Sequence, residues 1–448
     1  MIQNITDLSR KLQSGKLTSR NLIDTCFDAI SAAGGEGEKA FLSLYQEQAI
    51  ATADWIDQGR KLGMALPDHA GIPIAVKDLF DVAGEVTRAG SRVLDELPAA
   101  AKNAEIINRL KAAGFVIVGK NNMTEFAYSG LGVNGHFGTP VNPHDENTPR
   151  VPGGSSSGAG VSVSRGLVPA AIGTDTGGSC RIPAAFCGTV GFKPTSTRVP
   201  KTGAIPLSKS LDSVGPFTTS VSCAAVLDSI LSGGAGEDVE SFPEGGIRLG
   251  VLDGYVTEHL DPIVGAAYER SLSRLSQRGV RLTPLNIPQI SELPNINSKG
   301  GLVGADAYAW HKDLLETRSD FYDPWVRARF AAGKSQTAAD YIKLREKRRQ
   351  LRALVAEKQA LFDAVILPTV QIVAPTLAEL EDSEKSNALN LLCLRNTAIG
   401  NFLDVPAISI PCHEAGELPV GAMLFGITGE DRKLLSVARG LEQVIRGR

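Results

Sequence analysis

Paired cysteines are missing from this 448-residue sequence. Disulfide frameworks and structural zinc sites are built from closely spaced cysteines or from cysteine–histidine clusters. No C-x-x-C pair occurs here, and the six cysteines stand singly as Cys26, Cys180, Cys187, Cys223, Cys393 and Cys412. The sequence therefore argues against disulfides, and we expect neither a metal ion nor another cofactor.

Long apolar runs and a surplus of one charge are lacking too. No stretch approaches the roughly 18 apolar residues of a membrane span, and the polar N-terminal segment 1–20 has no apolar core of a signal peptide. The 46 basic and 49 acidic residues leave a net charge of -3, which gives no reason to expect nucleic acid or a membrane surface as a partner. We expect a cytoplasmic protein whose partners are small molecules or proteins, with a homodimer left open.

The sequence also lacks the usual marks of a serine–histidine hydrolase. There is no G-x-S-x-G elbow, and none of the six histidines stands beside a turn that could carry a nucleophile. If a serine acts as a nucleophile here, a group other than imidazole must accept its proton.

The apolar pattern that is present alternates between helix and strand periods, which favours an α/β fold with helices covering a largely buried sheet. Length alone allows one large domain or two ordinary ones. The pattern predicts two N-terminal amphipathic helices, with apolar positions at 5, 8 and 12 and again from 22 to 30, and further helices at 104–113, 158–165 and 337–362. It predicts strands at 71–76, 115–118, 167–173, 247–252 and 364–367.

Glycine and serine are concentrated between residues 153 and 191, where ten glycines and six serines occupy 39 positions. A flexible linker has nothing to bury, whereas this stretch contains apolar segments. Glycine at this density inside packed structure indicates backbone that approaches another group closely.

A phosphate-binding loop is nearly matched by Gly114-Phe-Val-Ile-Val-Gly-Lys-Asn121. Its central residues predict a strand and not a flexible turn, and Asn121 lacks the hydroxyl that would hold magnesium. We therefore reject nucleotide binding at this segment.

Three other segments together supply the parts that amide hydrolysis by a serine requires: Gly71-Ile-Pro-Ile-Ala-Val-Lys77, Gly153-Gly-Ser155-Ser-Ser-Gly158 and Gly173-Thr-Asp-Thr-Gly-Gly-Ser179-Cys-Arg181. A serine nucleophile needs a base, and a lysine can serve if burial keeps its amine neutral. The apolar run that precedes Lys77 could provide that burial. Gly177 and Gly178 leave their amides free to face a developing oxyanion. Each segment alone is a weak signal, and their value lies in the combination.

In this combination the sequence resembles the amidase signature family, with the lysine and the two Gly-Gly-Ser serines in the family's order and with Ser179 lying 24 positions after Ser155. The similarity extends over most of the chain, to the segments 122–127, 137–143, 186–195, 211–216 and 419–421. The family's fold is a single α/β domain with a mixed central sheet surrounded by helices. The resemblance implies one domain over 1–448, with a helical segment at 1–70 and the catalytic core at 71–225.

The resemblance also assigns roles by matching position. It makes Ser179 the nucleophile that forms the acyl-enzyme, Lys77 the general base, and Ser155 the bridging serine, which follows a cis peptide bond in the family. The amides of Thr176, Gly177, Gly178 and Ser179 match the oxyanion hole, and Ser156 and Arg181 match supporting residues. The sequence departs from the family at Ser157, where glycine is frequent, and at Cys180, where isoleucine is common. Neither departure affects the groups that carry the proton.

Three functions follow as expectations. The first is a stand-alone hydrolase of a small carboxamide. The second is the amidase subunit of a glutamine-dependent tRNA amidotransferase, which would use the same residues to release ammonia for a partner. The third is a catalytically silent binding protein, against which the presence of all three catalytic side chains argues. The segments 128–132 and 396–402, with Trp310 and Trp325, are candidates for the walls of the substrate pocket.

Overall fold

A computed structural model describes residues 4–145 and 147–448 of the chain. The strands of the described residues are β1 (Phe41–Leu44), β2 (Pro73–Lys77), β3 (Val116–Asn121), β4 (Ala171–Asp175), β5 (Val190–Lys193), β6 (Ser213–Thr218), β7 (Arg248–Leu252), β8 (Arg281–Leu285), β9 (Ala364–Pro368), β10 (Ala407–Pro411) and β11 (Gly421–Phe425).

The helices are α1 (Ile5–Gln13), α2 (Ser19–Ala32), α3 (Glu36–Lys39), α4 (Gln46–Lys61), α5 (Glu105–Ala112), α6 (Ser157–Ser164), α7 (Arg181–Cys187), α8 (Val221–Ser232), α9 (Pro262–Gln277), α10 (Leu293–Ile296), α11 (Gly301–Thr317), α12 (Pro324–Ala332), α13 (Ala338–Gln359), α14 (Ser383–Leu403) and α15 (Asp431–Arg446). Side-chain caps fix several helix starts. Thr18 accepts a hydrogen bond from the Asn21 amide at the start of α2, and Thr337 and Asp340 form a reciprocal capping box at the start of α13.

All the strands join one mixed sheet in the order β1-β3-β2-β4-β6-β5-β10-β11-β9-β7-β8. Neighbours β2 and β3, β2 and β4, β7 and β8, and β7 and β9 run parallel, while the remaining pairs are antiparallel. Every residue of β2, β3, β4, β5, β6, β9, β10 and β11 is buried, because helices cover both faces of the sheet. The predicted fold class, one α/β domain around a mixed sheet, is confirmed. The proposed limits at 1–70 and 71–225 stay a prediction.

The predicted elements agree with the structure apart from one strand. The residues from Gly114 to Asn121 contain β3 where a phosphate-binding loop would need a turn, as expected. The strand predicted at 167–173 is wrong in its limits, because β4 begins only at Ala171 and continues to Asp175. Leu167 and Val168 are apolar and buried, but they pack as a loop, and Pro169 has no backbone N–H to offer a neighbouring strand.

The parallel pairing of β2 with β4 positions the functional segments. Ala75 lies opposite Ala171 and Val76 opposite Ile172, so the carboxyl ends of the two strands meet at the same edge of the sheet. Lys77 ends β2 there, and the glycine-rich turn after Asp175 begins there. In the part of the chain that the structure describes, no helix has the length and apolar character to cross a membrane.

Candidate active site

The residues predicted to carry the proton lie at this edge of the sheet. Lys77 is the last residue of β2, Ser155 lies in the turn before α6, and Ser179 lies in the turn between β4 and α7. Lys77 and Ser155 have no exposed surface, and Ser179 is 4% exposed. The chain thus gathers three segments that are far apart in sequence around one buried amine.

The amine of Lys77 faces two hydroxyl groups. Its Nζ lies 2.7 Å from Ser155 Oγ and 3.0 Å from Thr174 Oγ1. Burial lowers the pKa of Lys77 to about 7, and the negative charges of Asp212 and Asp175 oppose this shift without cancelling it. An uncharged amine has two N–H groups and one lone pair, so it can donate to Thr174 and accept from the Ser155 hydroxyl.

The loop that follows β3 holds Ser155 from both sides. The Gly154 amide donates to the Gly130 carbonyl over 2.8 Å, and the Thr124 amide donates to the Ser155 carbonyl over 3.0 Å. The peptide bond between Gly154 and Ser155 is cis, in agreement with the family resemblance. A Cβ at Gly154 would lie 2.5 Å from the amide nitrogen of Gly132, so only glycine fits this contact.

Ser179 begins the short segment that leads into α7, and its hydroxyl is not part of the Lys77–Ser155 contact. Among the hydrogen bonds of the described residues, none within 3.5 Å joins Ser179 to Ser155 or to Lys77. The structure therefore brings the lysine and the first serine into contact, while the second serine lies in a neighbouring turn with its hydroxyl unengaged. Hydrogen bonds of a catalytic site are often long or absent before substrate binds.

The turn before Ser179 leaves backbone donors free. In the described part of the chain, the amides of Gly177, Gly178 and Ser179 donate to no protein acceptor. The Thr397 hydroxyl donates to the Gly177 carbonyl over 2.7 Å and fixes the turn from behind. Gly178 has φ +140°, and a Cβ there would lie 2.2 Å from Thr397 Oγ1, so this position requires glycine. Free amides on a rigid turn can stabilise an oxyanion.

A buried ion pair anchors the same turn to α14. Arg181 donates through Nε and Nη2 to the Asp175 carboxylate over 3.0 and 2.9 Å, and through Nη2 to Asn401 Oδ1 over 2.6 Å. Asp175 also accepts from the Cys180 amide over 3.0 Å. Burial alone would raise the pKa of Asp175, but the Arg181 charge and its hydrogen bonds outweigh burial and hold the pKa at about 2.

Two further contacts fix the backbone around the site. Ser156 Oγ donates to the Thr174 carbonyl over 3.3 Å, which ties the start of α6 to β4. Thr176 Oγ1 donates to the Asp212 carboxylate over 2.5 Å. Burial raises the pKa of Asp212 to about 6, although the hydrogen bonds that its carboxylate accepts oppose the shift.

Several of these groups were not singled out from the sequence. Thr174, Asp175 and Asp212 lie within the segments 173–181 and 211–216. Polar side chains next to predicted buried strands are the one sequence feature that could have marked them as site residues. Thr397 and Asn401 come from α14, and no local pattern connects them with Ser179. They lie inside the segment 396–402, a candidate for the pocket wall, and both hydrogen bond to the turn or to residues that flank it.

Alternative chemistry at this site finds little support. Cys180 is fully buried, and burial raises the pKa of its thiol, which disfavours the reactive thiolate. Across residues 4–145 and 147–448, no group of three or more histidine, cysteine, aspartate or glutamate side chains could hold a metal ion.

Comparison with known proteins gives a consistent result. The family model described as Amidase matches residues 21–435. The chain is 34% identical to 2-amino-5-chloromuconic acid deaminase from Comamonas testosteroni, with 99% of this chain and 96% of that protein covered. It is 35% identical to AtzE, which is a subunit of 1-carboxybiuret hydrolase from Pseudomonas sp. (strain ADP), with 96% of each covered.

A solved structure shares the fold over nearly the full length. The crystal structure of a glutamyl-tRNA(Gln) amidotransferase subunit from Thermotoga maritima superposes with a TM-score of 0.79 and 28% sequence identity, covering 98% of this chain and 94% of that one. Together with a family match over most of the residues, these relatives settle the family. The chain belongs to the Amidase family and is an enzyme that hydrolyses amide C–N bonds.

Proposed function

We propose that this enzyme hydrolyses a small carboxamide through an acyl-enzyme on Ser179, with Lys77 as the general base and Ser155 as the relay between them. The observation that carries the proposal is the contact of the buried Lys77 amine with Ser155 Oγ at 2.7 Å. A lysine whose pKa lies near 7 is available as a base at neutral pH, whereas an ordinary lysine is not.

Acylation moves two protons in one direction. Ser179 Oγ attacks the amide carbon, its proton passes to Ser155 Oγ, and the Ser155 proton passes to Lys77 Nζ. The attack turns the carbonyl oxygen into an oxyanion, which the free amides of Gly177, Gly178 and Ser179 would stabilise. Thr176, the other residue that the family resemblance assigns to the oxyanion hole, directly precedes them. Substrate binding must bring the Ser179 hydroxyl within hydrogen-bond reach of Ser155.

The same path then runs in reverse. As the C–N bond breaks, Lys77 returns its proton through Ser155 to the leaving nitrogen, which departs as ammonia or an amine. A water molecule attacks the acyl group on Ser179 and loses its proton to Lys77 along the relay. The relay then returns this proton to Ser179 Oγ as the ester bond breaks and the carboxylic acid leaves. Ser156 and Arg181 take no part in these transfers and hold the two turns in place.

The names of two relatives favour a small acidic substrate. A muconic acid derivative and carboxybiuret both carry an acid group, and the proteins that act on them align with nearly the whole chain. The role of an amidotransferase subunit is the second candidate, favoured by the structural match over the same length. In that case the chain would hydrolyse glutamine for a partner protein.

Replacing the proposed nucleophile or base should abolish turnover without unfolding the protein. Ser179→Ala removes the attacking oxygen and Lys77→Met removes the proton acceptor, so each should lower kcat for amide hydrolysis about 10³-fold or more. Ser298→Ala changes an exposed serine and should retain full activity. Circular dichroism of each variant checks that it is folded. A wild-type rate in either site variant would refute the role assigned to that residue.

Acidification should slow the enzyme because it protonates Lys77. Burial lowers the pKa of this amine to about 7, so kcat/KM should be level above that pH and fall about tenfold for each pH unit below it. Asp212, with its pKa raised to about 6, is the other buried group that titrates nearby. Its negative charge raises the pKa of Lys77, so Asp212→Asn should move the acid limb to lower pH without removing it. A profile that stays flat from about pH 5 to about pH 8 would contradict an uncharged lysine as the base.

The two candidate functions differ in their need for a partner. The purified chain alone should release ammonia from small amides, preferentially from acidic ones, and should leave glutamine largely unchanged. Coupled detection of ammonia across a panel of glutamine, malonamate and short aliphatic amides measures this. If glutamine is the only amide that releases ammonia, and does so only after a partner protein is added, the result would favour the amidotransferase.

A further inference from the structure

A cavity of about 410 Å³ lies beside the partner of Lys77. Its wall includes Thr174, whose Oγ1 lies 3.0 Å from the Lys77 amine, so the cavity is one side chain away from the proposed base. Asp212 lines the same cavity and binds Thr176 at the start of the glycine turn. The cavity thus touches β4 at Thr174, and through Asp212 it includes a hydrogen-bond partner of the segment that carries Ser179.

Two lysines give this cavity a positive character. Lys209 is exposed and makes no hydrogen bond or ion pair among the described residues, and Lys201 donates only to the backbone carbonyl of Asp212, over 2.9 Å. A carbonyl does not neutralise an ammonium group. Both charges are therefore available to a ligand.

The nearby carboxylates are occupied by other donors. Asp212 accepts from the Thr176 hydroxyl and from the amides of Leu207 and Ser208. Asp306 accepts from Ser208 Oγ and the Ser210 amide, over 2.7 and 2.9 Å. Neither carboxylate lies within 4.0 Å of an amine of Lys201 or Lys209 in the described part of the chain.

The rest of the wall is apolar. Ile205, Pro206, Val214 and Trp310 line it, which suits the hydrocarbon part of a small molecule. A concave apolar site with a few charged groups is typical of small-ligand binding, and this volume falls in the usual range.

We propose that this cavity is the subsite for an anionic group of the substrate, with Lys201 and Lys209 binding a carboxylate that the amide substrate carries away from its scissile bond. This inference rests on the proposed amide hydrolysis. It makes the lysines specificity-determining residues that act in binding and not in the proton relay.

A second cavity, of about 140 Å³, provides the competing assignment because it contains Arg329. Arg329 donates to the Tyr128 carbonyl over 2.6 Å. The carboxyl groups of Glu125 and Asp323 share that smaller cavity, so its charge is less favourable to an anion.

The test measures binding separately from turnover. In the Ser179→Ala background, calorimetry gives the affinities for succinamate and for its uncharged methyl ester. Succinamate should bind more tightly, and Lys201→Met or Lys209→Met should each reduce this preference about tenfold, the size of one lost charge-assisted hydrogen bond. Lys16→Met, which changes an exposed lysine outside the cavity, and Arg329→Met should leave the preference unchanged.

Lys209 has no structural partner among the described residues, so its variant should fold even if Lys201→Met does not. No preference for succinamate, an unchanged preference in Lys209→Met, or a loss confined to Arg329→Met would each overturn the assignment. If the protein prefers the anionic ligand but the wild-type enzyme hydrolyses no amide, the proposed function is contradicted and the subsite is not. Turnover of amides without that preference would contradict only the subsite.

Discussion

The site depends on the removal of one lysine from water. An ammonium group loses its strong hydration when it is buried, and the groups around Lys77 do not fully replace that hydration. The charged form is therefore disfavoured, and the pKa of Lys77 lies below that of an ordinary lysine. The parallel strands β2 and β4 bring its backbone beside Thr174, and α6 begins two residues after Ser155, the serine that it contacts. Histidine becomes unnecessary because burial lowers the pKa of this amine towards neutrality and the contact with Ser155 gives it a path for the proton.

Burial alone does not make such a base, as two other lysines show. Lys120 and Lys193 are also almost fully buried, and burial lowers the pKa of each. Lys120 lies 3.5 Å from the Asp78 carboxylate, and Lys193 donates to the Pro194 carbonyl over 2.7 Å. The Pro194 carbonyl has no proton to exchange, and the Asp78 charge opposes the lowering of the Lys120 pKa. Lys77 differs because both of its partners are hydroxyl groups.

The turn that carries Ser179 needs a different kind of support. A buried guanidinium is stable only when its donors are satisfied, and Arg181 meets this requirement through Asp175, Asn401 and the Thr397 carbonyl. These bonds join the turn to α14, and the Thr397 hydroxyl joins it to the same helix. A rigid backbone at this point would keep the free amides directed at the position where the oxyanion forms, and such preorganised donors are what stabilises the oxyanion.

The sequence predicted the parts of the site that are local. The apolar run before Lys77, the two Gly-Gly-Ser turns and the order of strand and helix are short-range patterns, and they predicted β2, α6 and the fold class. The supports from α14 could not be predicted, because Thr397 and Asn401 are more than 200 positions from the turn they hold. The limits of β4 were misjudged for a related reason, since apolar side chains at 167 and 168 are buried in a loop as fully as in a strand.

The most direct test of the account is to find where an acyl group attaches. Rapid quenching of the enzyme with p-nitrophenyl acetate, followed by peptide mass spectrometry, should place one acetyl group on Ser179 in wild type and none there in Lys77→Met. An acetyl group on Ser155 or Cys180 in place of Ser179, or equal labelling without the lysine, would contradict the central claim.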